Sequence, residues 1–237
     1  MKNTQLWLLT TLFLLALFWG VGQTRAADAV VGDGSPASCT EAAFDSALAT
    51  AVSGGGTITF NCGAAETTIP FSLVKLINLG NVTIDGANRI ILSGSNNDRH
   101  FFVGSGITFR LQNITLRDGN SLVNGGAIEA SGATLILENI RLLNNYSSVS
   151  GGAIYCYDST VTMTTSLLEN NTSDTAGAIF NDGCTMTISD STLRGNQALD
   201  PFGRGGAIEN RPLGDLTLIG TRLENNTAPD GGGLYND

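Results

Sequence analysis

The residues able to do chemistry are few. The one histidine, His100, stands between Arg99 and Phe101. Imidazole is the usual proton carrier near neutral pH, but beside an aromatic strand the expected role is a packed or solvent-tipped residue. Glycoside hydrolysis needs two carboxyls about 5–5.5 Å or about 6.5–9.5 Å apart. Glu129 and Glu209 occupy one recurring position, directly after Ala-Ile, yet three copies of a repeat separate them. At a strand spacing of about 4.8 Å that is about 14 Å, too long for either mechanism. Asp158 and Asp182 lie in turns of adjacent copies and form the best carboxylate pair. They could bind Ca²⁺ or simply shape turns. Asp200, Arg204 and Arg211 gather acid and base near Glu209 around an insertion, Gln197–Arg204. Tyr155, Phe180 and Tyr235 share the Glu209 position, as a strip for a ligand or as packing. No Gly-x-Ser-x-Gly elbow and no second histidine exist, so a hydrolase triad is not expected. The binding candidates are therefore Asp158, Asp182, Asp200, Arg204 and Glu209. No catalytic residue is assigned, no cofactor is expected, and Ca²⁺ is the one metal the acids suggest.

These residues are positioned by an internal repeat, a pattern that decides the fold when present. Gly125-Gly126-Ala127-Ile128 recurs as Gly151-Gly152-Ala153-Ile154, Ala176-Gly177-Ala178-Ile179, Gly205-Gly206-Ala207-Ile208 and Gly231-Gly232-Gly233-Leu234. Phe109, Leu135, Val161, Met186 and Leu216 keep the same beat, as do Leu116, Leu142, Leu168, Leu193 and Leu223. Inward candidates within each copy are two residues apart, which is strand periodicity. A unit of about 25 residues cannot bury its apolar face alone; stacked units make a continuous core. The spacing predicts an all-β parallel solenoid of about seven coils, right-handed by the general rule for parallel crossovers. Asn145, Asn171, Asn196 and Asn226 recur at one place and can form an amide ladder along the axis. Glu169, Arg194 and Glu224 share an outward column of alternating charge.

The ends are different. Residues 1–26 read as a signal peptide: Lys2, the apolar run Leu6–Val21, then a small-residue exit at Ala26 or Ala29. Residues 27–56 form an N-terminal segment whose Thr40–Ala51 stretch predicts a short helix capping the first coil. The solenoid is expected over 57–237, with 57–116 its more diverged part. Losing Lys2 and Arg25 takes the net charge from −9 to −11 and leaves Lys75 as the one lysine. Such a chain repels phosphate backbones, so nucleic acid is not an expected partner. No second apolar stretch is long enough to cross a membrane as a helix. The four cysteines of an exported chain are disulfide candidates: Cys39 with Cys62, pinning cap to coil, and Cys156 with Cys184, which both fall in turns of neighbouring coils. Free buried thiols are the alternative reading. Gly231–Asp237 opens a new repeat with no cap, so a C-terminal continuation, or self-association at the open coil end, is expected.

The Gly-Gly-Ala-Ile blocks alternating with Leu-x-x-Asn resemble the Gly-Gly-Ala-Ile and Phe-x-x-Asn repeats of bacterial polymorphic outer-membrane proteins. The wider group is the pectin-lyase-like right-handed β-helix superfamily. The stretch from Thr83-Ile84-Asp85-Gly86 through Arg99–Phe102 to Asn113–Leu116 is also similar to the lead-in of many secreted bacterial β-helix proteins. Leu142, Leu168, Leu193 and Leu223 stand where the family has Phe. The resemblance implies a secreted or cell-surface protein; the Glu spacing, the missing Gly-His-Gly and the lack of a clear Ca²⁺ cluster favour a structural, adhesive or binding role, toward polysaccharide or a host or neighbouring cell surface, with no catalysis of its own. Its alternative is a polysaccharide lyase or glycoside hydrolase acting on an acidic polysaccharide. Polygalacturonase-like members carry several Asp and a Gly-His-Gly, which this sequence lacks.

Overall fold

The computed structural model describes residues 27–237; the expected signal peptide, 1–26, lies outside them. The chain winds into a parallel β-solenoid of about 8 turns with ~26 residues per turn and one helix near the N-terminus, one turn more than the seven that the sequence suggested. The strands fall into sheets of 13, 7 and 4 strands, with neighbours in each coming from successive coils.

The register follows the sequence columns. Phe109 pairs with Leu135, Leu135 with Val161, Val161 with Met186 and Met186 with Leu216, all parallel. Leu116, Leu142, Leu168, Leu193 and Leu223 form a second unbroken line. Alternate residues point inward and stack on their copies, so Phe109, Leu111, Leu135, Leu137 and Met163 are fully buried. Burying such side chains contributes about 1.5–3 kcal/mol each. Outside, Arg194 Nε donates to Glu169 Oε1 at 2.9 Å, coupling neighbouring coils.

The Gly-Gly-Ala-Ile block makes the tightest corner. Gly151 has φ +69°, which glycine adopts without steric cost. A Cβ on Gly152 would collide with the carbonyl of Gly177 one coil on. In Gly151-Gly152 the two glycines therefore do separate jobs, one for the turn and one for the close approach of coils, and Gly125-Gly126 and Gly205-Gly206 repeat the division. Asn and Asp occupy other left-handed turn positions, among them Asn144, Asn170 and Asp158.

Asparagine fills the interior corner beside the leucine line. Asn145 Nδ2 donates to Asn171 Oδ1 at 2.9 Å, Asn171 to Asn196 at 3.0 Å and Asn196 to Asn226 at 2.9 Å. Each Nδ2 also reaches a leucine carbonyl of the preceding coil, and each Oδ1 also accepts a backbone N–H. Every hydrogen-bonding atom of the buried amide is thus satisfied.

At the N-terminal end the helix runs Glu41–Gly54, ending three residues beyond the Ala51 that the sequence suggested. Thr40 Oγ1 accepts from Ala43 N–H as the N-cap. Phe44, Ala47, Leu48 and Ala51 face the coils, and Phe44 meets Phe71 with ring centroids 4.8 Å apart. Lys75, 7% exposed, holds both Glu41 and Asp45 at 2.7 Å. The segment before the helix also joins the solenoid, since Ala29–Val31 pairs with Ile58–Phe60.

Candidate functional site

One outward column of the seven-stranded sheet carries most of the candidate chemistry. In register it reads Leu76, Phe102, Glu129, Tyr155, Phe180, Glu209, Tyr235. Glu129 and Glu209 are therefore three coils apart, with two aromatic residues between them. Tyr155 and Phe180 stack with centroids 5.5 Å apart and planes 16° from parallel.

The C-terminal part of this strip is built over. Glu209 lies in the strand Ile208–Asn210 and is only 2% exposed. Arg211 Nη1 donates to Glu209 Oε1 at 3.2 Å, while Oε2 has no partner. The Arg211 guanidinium also lies over Phe180 at 5.7 Å, and that of Arg204 lies over Tyr235 at 4.7 Å. Two cations thus flank one carboxylate along the axis. Burial pushes the Glu209 carboxyl above its ordinary range, with Arg211 and then Arg204 opposing it and Asp237 adding to it. The turn after Glu209 closes through Gly214 N–H to the Arg211 carbonyl at 2.9 Å, and Arg211 N–H is tied to the Asn181 carbonyl.

The other candidates are dispersed. Asp158 is an exposed turn residue with φ +44°. Asp182 ends the strand Ile179–Asp182 instead of lying in a turn, and accepts from Tyr155 Oη at 3.3 Å. Burial, then the Asp182 charge, pushes the Tyr155 hydroxyl up to about 12. Among the described residues no group of three His, Cys, Asp or Glu gathers to hold a metal ion, so Asp158 and Asp182 gain no third ligand. Asp200 closes its own turn by accepting from Phe202 N–H at 2.7 Å. The structure therefore brings Arg204, Arg211 and Glu209 together and leaves Asp158, Asp182 and Asp200 outside that group.

Both cysteine pairs are bonded: Cys39 to Cys62 with Cα atoms 5.7 Å apart, and Cys156 to Cys184 at 6.3 Å. Cys156 does not lie in a turn. It faces inward from the strand Ile154–Tyr157, and the bridge crosses diagonally to the coil after it.

His100 is wholly buried, not solvent-tipped. Its Nε2 lies 3.0 Å from the Leu92 carbonyl and 3.1 Å from the Arg117 carbonyl. Two acceptors define Nε2 as the protonated nitrogen of a neutral ring; Nδ1 has no partner. Burial lowers its pKa to about 4. Arg99, also buried, pairs with Glu129 and donates to Ser121 Oγ at 2.9 Å. These groups serve the coil wall.

One feature escapes a residue-by-residue search for chemistry. A second interior ladder runs Asn181–Asn210–Asn236, with amide contacts of 2.6 and 2.8 Å. Its trace in the sequence is an Asn three residues after Ala in Ala-Ile-Phe-Asn and Ala-Ile-Glu-Asn. The gathering of Arg204 and Arg211 at Glu209, by contrast, is the acid-and-base cluster that the sequence marks around the insertion, without Asp200.

A family model described as the Chlamydia polymorphic membrane protein repeat matches residues 139–157. These residues run from one turn, past Asn145, through the Gly151–Ile154 corner to the strand of Cys156. No curated protein and no solved structure matches the chain. The chain is a β-helix repeat protein that resembles polymorphic membrane proteins, and the repeat suggests a cell-surface or outer-membrane protein. No helix among the described residues is long and apolar enough to cross a membrane.

Proposed function

We propose that this is a secreted or cell-surface β-helix protein whose outer wall binds a ligand without transforming it. The observation that carries this reading is the outward column from Glu129 to Tyr235. It sets a half-buried Tyr155 on the buried Phe180 of a rigid parallel sheet, with the guanidiniums of two flanking segments laid along the column. Its carboxylates are spaced for neither of the two glycosidase geometries, and the histidine is held neutral inside the wall. Asp158 and Asp182 act as turn and strand-end residues. Ca²⁺ has no part in this reading.

The test is incubation of the purified chain with acidic and neutral polysaccharides, with and without Ca²⁺. Binding without release of unsaturated uronate or reducing ends is the expected result. Catalytic release of either product would replace this reading with that of a lyase or a hydrolase.

A further inference from the structure

Another face of the solenoid carries a two-dimensional regularity. In the 13-stranded sheet, Thr134–Glu138, Thr160–Thr164, Thr185–Ser189 and Asp215–Ile219 pair in parallel with unshifted register. Their outward residues form a net of three columns. The first column reads Thr134, Thr160, Thr185, Asp215. The second reads Ile136, Thr162, Thr187, Thr217, and the third Glu138, Thr164, Ser189, Ile219. The middle column carries no charge. The two carboxylates stand at opposite corners, and Glu138 is paired with Arg110. The rows Thr160–Thr164 and Thr185–Ser189 present a hydroxyl at every outward position. The outward column Glu169, Arg194, Glu224 shows how charged a neighbouring wall of the same coils is.

Threonine suits any exposed strand; the arrangement is what sets this face apart. Among the described residues the hydroxyls of the net take no protein partner, whereas Ser159, Ser166 and Ser191 beyond the strand ends donate to backbone carbonyls. The net is thus left to water. Neighbouring strands lie about 4.8 Å apart, and alternate residues along a strand about 6.6 Å apart. Both repeats are close to those of the oxygen atoms on a prism face of ice. The two full rows are also held in step. Cys184 directly precedes Thr185, and its bridge to Cys156 joins the coils that carry them. Beside the bridge, Thr185 N–H donates to the Ser159 carbonyl at 3.0 Å. The side-chain ladders inside the coils are the kind of device that keeps a sheet flat.

We infer that this net binds the surface of ice. Each hydroxyl holds a water at a lattice position, and the methyl groups of the threonines and Ile136 fill the gaps between rows of water. Each contact is weak, but a rigid net makes them together without further ordering cost. A charged side chain in the net would keep its own hydration and disturb the ordered layer, which gives the neutral rows a reason. The net lies on a different face from the Glu129–Tyr235 column, so this activity goes beyond the binding reading above and does not depend on it.

The test exposes the purified chain to a slowly growing ice shell and compares the fraction captured with that of a non-binding protein of similar size. The chain should be captured well above that control, and single ice crystals grown in its solution should become faceted. Thr162→Lys and Thr187→Lys, at the centre of the net, should each cut capture about tenfold, because the ammonium keeps its water. Thr68→Lys, at an exposed strand position outside the net, should leave capture unchanged. Thermal melts should show all three variants folded like the parent, since each replaces an outward side chain. Retention on microcrystalline cellulose is measured in parallel as the other flat, hydroxylated solid. Capture no greater than the control's, capture unaltered in both folded variants of the net, or an equal loss in Thr68→Lys would each overturn the assignment. So would loss of cellulose retention, with ice capture intact, in Thr162→Lys, which would give the net to a crystalline polysaccharide.

Discussion

The body of the asparagine ladder and its head meet the same structural demand with different chemistry. In the body, Asn145, Asn171 and Asn196 each pass a hydrogen bond to the next coil, and these three and Asn226 each return one to a leucine carbonyl. At the head, the position in line with Asn145 is Gly119, and the His100 ring enters the space beside it. His100 Nε2 takes the Leu92 carbonyl, the same leucine line that the amides use. An amide has both donors and an acceptor, so it can be stacked without limit. A neutral imidazole with its proton on Nε2 ends the series, and its Nδ1 is left unpaired. The ladder is thus extensible toward the C-terminus and terminated toward the cap. The difference also separates a part of the wall that ignores pH from a part that does not.

Breaking the ladder in its middle should have the largest effect. Asn171→Ala removes bonds to Leu142, Asn196 and Asn145 and strands their buried partners. The expected loss is about 4 kcal/mol, read as a lower urea midpoint. A midpoint within error of the parent would show that water or a shifted backbone replaces the amide. Acid tests the head. The His100 pKa is about 4 in the fold against about 6.5 unfolded. The unfolded chain therefore binds the proton first as pH falls. This contribution to stability is complete above about pH 6.5 and shrinks from there to about pH 4, by roughly 3 kcal/mol in total. Unfolding free energies measured across that window should show the slope, and His100→Gln should flatten it. A slope identical in both proteins would remove His100 as its cause. The smallest effect is expected at the far end. Asn226→Ala should cost about 1 kcal/mol, because water reaches this partly exposed amide and takes over its bonds. A loss as large as that at Asn171 would mean the ladder acts as one unit whose rungs cannot be ranked by burial.

Most of the fold was legible because the solenoid writes each contact as a recurrence. Phe109, Leu135, Val161, Met186 and Leu216 could be aligned by counting, and they pair in that order. Asn145 through Asn226 were legible for the same reason. The second ladder was harder to see, since its column begins with Ala130 and Cys156 before turning to Asn. His100 was hidden because its burial depends on Gly119 making room from a distant part of the sequence. The outward strip was readable as a column. The acid-and-base cluster at its C-terminal end was readable by proximity, with Arg211 from a turn after the Glu209 strand and Arg204 from the insertion before it; the burial of Glu209 was not, because neither segment repeats. Periodicity carries information only about what recurs, and the candidate site is where the chain stops recurring.

The Cys156–Cys184 bridge has a mechanical consequence. In a solenoid each coil touches only its neighbours, so a pull along the axis should peel coils one at a time. The bridge ties one coil to the next across a buried diagonal. Peeling that starts from the C-terminal coils reaches Cys184, where the load crosses the bridge to Cys156. The protein then behaves as a rope with a knot in it: the residues tied between the two cysteines cannot be drawn out, and the length released under load is shorter by that one coil.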